Sequence, residues 1–331
     1  MTMTSTRRSA VLAVATSALA TATSVPAFGQ PAFPLQKAIT LVVPFSPGGG
    51  NDILARAIAP EMGQSLGQTI VVDNRPGAGR NIGAEFVAHA APDGSTVVIA
   101  SSQATMNPLL DMRVPFRIER DFAPVGLIAS VPLLLVANSR EPYKNFQEFM
   151  AYARVNPGKV SYSSPGVGTP QNMAGEVFAK LNNAEMLHVP YRGTGPSIAD
   201  LIGGQVQVSF ATFASVAQHV RSGKLRALGI AGPKRAMLVP EVPTFGESGM
   251  ANYDAGLWYS LLAPGKTPKQ IVDKLNWAML AAVQDPAVAK QLLEQGFEIQ
   301  ASTPAELKAY IDKELVQSER VIKEDQIKVS P

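Results

Sequence analysis

Downstream of Gln36, short apolar runs alternate in a regular way with segments of helical periodicity, and this alternation limits the fold more than any other feature. "AITLVVPF", "QTIVVDN" and "STVVIAS" predict strands. Asp52 to Leu66, with Ile53, Leu54, Ala57, Ile58 and Met62 near one face, predicts a helix, and Ala84 to Ala91 a shorter one. Further on, "GLIASVPLLLVAN", "KVSYSS", "MLHVPY", "VQVSFAT" and "LRALGIA" are separated by helical patterns such as "NFQEFMAYARV", "QNMAGEVFAKL" and "SVAQHVRS". Strands alternating with helices imply a parallel, doubly wound α/β sheet covered on both faces. Pro60 removes a hydrogen bond from the first helix and is expected to kink or restart it. Thr267-Pro268 and Thr303-Pro304 each place a cap and an N1 proline before a C-terminal helical pattern, with "LWYSLLAP" as the one strand of that region.

Two junctions resemble each other. "VVPFSPGGGND" and, about 120 residues later, "VSYSSPGVGTPQN" both run from a strand through a glycine-rich loop into a helix. Such a junction presents free backbone N–H groups and the positive end of a helix dipole. After Gly48, Gly49 and Gly50 no basic residue follows until Arg56, which suits a carboxylate better than a triphosphate. A tight turn without any ligand is the other reading of one isolated glycine run. A second junction at Gly166 to Pro170 favours an anion gripped by two loops.

Composition is needed to choose a compartment and to exclude other classes. Met1 to Arg8 carries Arg7 and Arg8 and no acid, then "SAVLAVATSALATATS" is apolar but too short and too rich in Ser and Thr to span a bilayer. Small residues in "VPA" or "AFG" complete the pattern of a secretory signal peptide over residues 1–29. The arginine pair leaves both the general and the twin-arginine export routes open. Of 29 Lys+Arg, removing those two leaves 27 against 26 Asp+Glu, so the basic balance of the whole chain is no argument for nucleic acid. The absence of cysteine excludes a disulfide scaffold, thiol catalysis and Cys-ligated metal.

Other site chemistries fail on spacing. Gly265-Lys266-Thr267 lacks the upstream glycine of a phosphate loop, with Ser260 in its place. "GAGRNIG", Gly77 to Gly83, mimics a dinucleotide fingerprint, but the following strand ends without an acid for a ribose. His89, His188 and His219 are scattered and are read as structural. There is no G-x-S-x-G elbow. No cofactor and no metal are expected.

The blocks "PFSPGGGND", "VVDNRPGAGRNIGAEFVAHAAPDG", "NPGKVSYSSPGVGTP", "HVPYRGTGPSIADLIGGQV" and "GKLRALGIAGPKR…PEVPTFGESG" resemble the Bug-type receptors, the extracytoplasmic solute-binding proteins of tripartite tricarboxylate transporters. The similarity covers the chain beyond the signal peptide in the right order. It implies an α/β, two-domain periplasmic-binding-protein fold (type II-like), with doubly wound sheets and a cleft between the domains. Domain I would be residues 30–127 plus 232–331 and domain II residues 128–231, with "LIASVPLLLVAN" and "KLRALGIAG" as the crossings. It also implies a periplasmic receptor, not an enzyme, that binds a small carboxylate and docks on integral-membrane transporter subunits. A monomer that does not bind nucleic acid is expected.

Carried onto this chain, the first ligand loop comprises Phe45, Ser46, Pro47, Gly49, Gly50, Asn51 and Asp52. The second comprises Pro165, Gly166, Gly168, Thr169, Pro170 and Gln171. Ser101, Ser102, Gln103, Tyr191 and Phe213 fall at carboxyl ends of strands, where open α/β sheets bind ligands. Three positions depart from the family pattern. Asn51 replaces a hydroxyl residue, Asn172 stands where His is common, and Arg80 replaces a glycine. Arg80, if it faces the cleft, adds a charge-assisted donor and makes a second ligand carboxylate plausible. Dicarboxylates, amino acids and aromatic acids all satisfy the loops. A sensor or scavenger with the same fold, or an enzyme acting on a carboxylate, are the alternatives.

Overall fold

The computed structural model describes residues 37–45, 47–77, 81–106, 114–232, 234–250, 253 and 255–324. The signal-peptide region, Ser46 and Arg80 lie outside the described residues. The first half runs β1 (Ile39–Val43), α1 (Gly50–Leu66), β2 (Ile70–Asn74), α2 (Asn81–Ala88), β3 (Thr96–Ser101), α3 (Gln103–Met106), α4 (Ile118–Asp121), β4 (Phe122–Val131), β5 (Leu133–Asn138) and α5 (Phe146–Val155). It continues with β6 (Val160–Ser164), α6 (Pro170–Leu181), β7 (Met186–Pro190), α7 (Thr194–Gly203), β8 (Val208–Thr212), α8 (Phe213–Arg221) and β9 (Leu225–Ala231). The remainder is β10 (Leu257–Pro264), α9 (Lys269–Gln284), α10 (Pro286–Glu294), β11 (Glu298–Ile299) and α11 (Pro304–Glu324).

Two sheets result, with strand orders β11-β4-β10-β3-β1-β2 and β7-β6-β8-β5-β9. The alternation predicts parallel pairing, and β1, β2 and β3 pair in parallel, as do β6, β7 and β8. The strands nearest the crossings differ. β10 lies antiparallel between β3 and β4, and β5 lies antiparallel between β8 and β9. The reason is connectivity: β4 and β5 follow one another through Pro132 alone, in different sheets, with no crossover helix to restore direction. Strand pairing therefore changes sheet at Pro132. The return passes Gly232, where an added Cβ would stand 3.4 Å from the Cβ of Pro132, so the two crossings run side by side.

Alternate residues of each central strand enter different cores. Leu41 and Val43 of β1 join a large cluster with Leu54, Ile58 and Met62 of α1, while Val42 faces Ala84, Val87, Trp258 and Leu307. On the second sheet, Leu134 and Val136 pack with Ile198, Leu201 and Val216 on the outer face.

Several local expectations are corrected. α1 passes uninterrupted through Pro60, because Pro60 and Arg56 lie on its exposed side, where the carbonyl freed by the missing N–H is not shut away in the core. At α9 the cap residue is Pro268, not Thr267, and the Thr267 hydroxyl is buried without a partner after the turn that closes β10. Thr303 does cap α11: its Oγ1 accepts from the Glu306 amide at 3.3 Å, and Glu306 accepts the Thr303 amide at 2.8 Å. α10 and the two-residue β11 add to the helices and single strand expected near the C-terminus. β11 is recognisable only by its pairing with Ser130 and Ala129 of β4.

Candidate functional site

The two glycine-rich junctions are built alike. In the first, Gly48 turns at φ +86° and Gly49 caps α1 with no side-chain bond of its own. Asp52, at the third helical position, reaches back and accepts the Gly48 amide at 2.9 Å. In the second, Gly168 turns at φ +73°, and Thr169 caps α6 by accepting the Asn172 amide at 3.1 Å. Asn172 reaches back to accept the Gly168 amide at 3.0 Å. Aligned by the helices, Gly48 matches Gly168 and Asp52 matches Asn172, so the Ser-Pro-Gly likeness is displaced by two residues. Both glycines hold a positive φ that a side chain rarely adopts.

The chemistry of the two ends differs. No hydrogen bond among the described residues engages the amides of Gly49, Gly50 or Asn51. The second end has Pro170 at its first position and uses the Thr169 amide on Gly166 O, so Gln171 is its first available helical donor. The first junction is thus the stronger anion seat.

The Asp52 carboxylate is engaged by neighbours within the protein. It accepts from Arg56 Nε at 3.0 and 3.1 Å and from Asn74 Nδ2 at 3.0 Å, and Asn74 also donates to the Phe45 carbonyl at 3.1 Å. Burial raises its carboxyl, yet the bonds from Arg56, the Gly48 amide and Asn74 together hold it below the ordinary value. The ionised form therefore contributes stability that is complete above the ordinary value of 3.8 and lost as pH falls through the lower folded value. Asp52→Asn is expected to lose less stability than the wild type on acidification below about pH 4. Coincident acid-unfolding curves would remove this role.

The other expected site residues fall into groups. Phe45, Asn81, Ser101 and Gln103 line one small cavity of about 30 Å³. Among the described residues, the buried Ser102 hydroxyl has no partner, and neither has Asn51 Oδ1, in a residue 5% exposed. Pro165 and Gly166 pack beside Tyr191: the Gly193 amide donates to Pro165 O at 3.0 Å and the Tyr191 amide to Ser164 O at 3.0 Å. The Tyr191 hydroxyl donates to Asp200 at 2.7 Å, and burial with that bond pushes the phenol up to about 12. Phe213 packs across to the first sheet's side, where a Cβ on Gly296 would stand 2.8 Å from the Cβ of Phe213. Among the described residues, no cluster of His, Cys, Asp or Glu is placed to hold a metal.

One residue was missed. Tyr259 of β10 is 2% exposed, and its hydroxyl stands 2.6 Å from where a Gly50 Cβ would be. Burial raises its phenol, so it stays a neutral donor beside the open amides of α1. The rule that ligands lie at carboxyl ends of strands passes over it, because antiparallel β10 brings its amino end to the edge where β3 ends, pairing Tyr259 with Ser101.

The comparisons with known proteins agree with this architecture. Residues 54–327 match the family described as "Tripartite tricarboxylate transporter family receptor". BugT of Bordetella pertussis is 34% identical over 324 residues, covering 97% of this chain and 98% of that protein. MatC from Rhodopseudomonas palustris, solved with bound malate, is 33% identical with a TM-score of 0.80, covering 88% of this chain and 100% of that one. The R. palustris protein Rpa4515, solved with adipate, is 31% identical with a TM-score of 0.84, covering 90% and 99%. A family match over most of the chain, and relatives that span nearly its full length, bear out the resemblance carried by the glycine-rich blocks: this chain belongs to the receptors of the tripartite tricarboxylate transporter family.

Proposed function

We propose that the protein is a periplasmic receptor, not an enzyme, which binds a small carboxylate between the glycine-rich junctions and presents it to membrane transporter subunits. The observation that supports this most is the pair of equivalent helix N-termini, one on each sheet, with the amides of Gly49, Gly50 and Asn51 unengaged among the described residues. Malate in MatC and adipate in Rpa4515 make four- and six-carbon dicarboxylates the first solutes to try. The two sheets with their helices form the two domains of this reading, hinged where Pro132 and Gly232 run side by side. Residues 1–29 direct export, and no described helix is long and apolar enough to cross a membrane. Arg80, near the first loop in sequence, adds a cation for a second carboxylate if it faces the cleft.

The energetics are adequate. Micromolar affinity requires about 8 kcal/mol. Three or four charge-assisted hydrogen bonds at roughly 1.5–3 kcal/mol each supply it after ordering costs.

The test is a thermal-shift series of the purified protein with mono-, di- and tricarboxylates. A true solute at a hundredfold excess over its dissociation constant adds about 2.7 kcal/mol, several degrees in midpoint. Silence across the carboxylates together with a shift by sulfonates or phosphates would overturn the assignment of solute class.

A further inference from the structure

Beneath the second junction lies a row of hydrogen-bonded side chains that the binding reading does not use. The Tyr162 hydroxyl donates to Glu176 at 2.5 Å and accepts from Asn172 Nδ2 at 2.9 Å. Asn172 Nδ2 is also 3.3 Å from His188 Nδ1, and His188 Nε2 is 2.7 Å from Ser164 Oγ. The imidazole stacks on Tyr162 with ring centroids 4.8 Å apart. Two members of the row touch the loop backbone. Ser164 Oγ donates to Gly166 O at 3.0 Å and accepts the Gly166 amide at 3.2 Å, while Asn172 Oδ1 accepts the Gly168 amide.

Counting protons assigns the imidazole. Gly166 O also accepts from Thr169, so the tautomer is assigned at the other ring nitrogen: Asn172 Nδ2 faces His188 Nδ1, and Nε2–H is then the donor to Ser164 Oγ. Nδ1 then carries the lone pair and accepts from Asn172. The other tautomer would set N–H against N–H, and Asn172 cannot flip to relieve it, because its Oδ1 is held by the Gly168 amide. A second proton on His188 creates that same conflict.

We infer that His188 is a positioning residue for solute binding: as the neutral Nε2–H imidazole it holds Ser164 and Asn172, and through them the Gly166 and Gly168 amides, and its protonation releases the second loop. This rests on the reading that the second loop takes part in holding the solute. β7 is an edge strand, and Tyr162 from β6 and Glu176 from α6 are the titratable groups that face the imidazole. Burial disfavours the charged ring more than Glu176 favours it, so it titrates below its ordinary value. Solute affinity falls as pH drops through that midpoint, by at most about tenfold per pH unit for one linked proton.

The test follows the amide resonances of Gly166 and Gly168 and the His188 ring from about pH 8 to about pH 5, a range that brackets imidazole titration. It uses the full protein and His188→Gln. Both amides should move with the midpoint of the ring in the wild type and stay flat in the variant. A titrating ring with stationary amides, or amides that titrate equally in the variant, would overturn the inference. If the variant fails to fold, the wild-type comparison of ring and amides decides alone. Adipate and malate affinities across the same range are compared as wild type against variant, which cancels the probes' own ionisation. Parallel profiles would remove the role in binding. Absence of binding by either acid at neutral pH would count against the solute reading, while the amide titration still decides the role of His188.

Discussion

Phe178→Ala is expected to cost about 3–5 kcal/mol of stability. Phe178 is fully buried on α6, and its ring lies within 5.4–6.3 Å, centroid to centroid, of Phe146, Phe149, Phe210, Phe245 and Tyr253. Those partners come from α5, from β8 and from the segment that returns to the first sheet. Removing one ring leaves a cavity among aromatic neighbours held by different elements, so collapse is limited. Tyr253 is further tied to α6 by donating to Ala174 O at 2.5 Å. Urea unfolding should show a lower midpoint with an unchanged slope. A loss below about 1 kcal/mol would mean that the cluster relaxes around the gap.

Gly50→Ala is expected to weaken solute binding by about a hundredfold, equivalent to losing about one strong charge-assisted hydrogen bond, while the protein stays folded. The added methyl would stand 2.6 Å from the Tyr259 hydroxyl. That ring is pinned, since Tyr259 pairs on both sides, with Ser101 and Ala129, and packs on Phe297 at 5.4 Å. The first turn of α1 must therefore give way, and its amides lose their aim. Adding Tyr259→Phe removes the closest atom and leaves the ring carbon Cζ at 3.3 Å, so the double variant should recover part of the affinity. Calorimetric titration with the acid that stabilises the wild type measures both. Wild-type affinity in Gly50→Ala would take the α1 terminus out of the site.

These two expectations differ in how far they were readable beforehand. Phe178 belongs to a helical pattern, "QNMAGEVFAKL", that is plain in the sequence, and its burial follows from periodicity. The role of Gly50 was half readable: three glycines between a strand and a helix announce a close approach to backbone, but not what approaches. Tyr259 gave no such announcement.

Local chemistry alone determined the longer strands and helices, the Thr303 cap and the two glycine-rich junctions, because each depends on neighbours within one turn or one strand. The same residues, read in order, also carried the family. Strand direction was decided only by the tertiary structure: β5 and β10 read like their parallel neighbours, and the sheet change at Pro132 makes them antiparallel. From that reversal follow the placement of Tyr259 against Gly50 and the adjacency of the two crossings. Pro60 and Thr267 were misread for a related reason, since whether a helix break or an idle hydroxyl matters depends on which side faces water. The row from Glu176 to Ser164 joins α6, β6 and β7 across residues far apart in the chain. No spacing rule brings such groups together; packing two strands under one helix does.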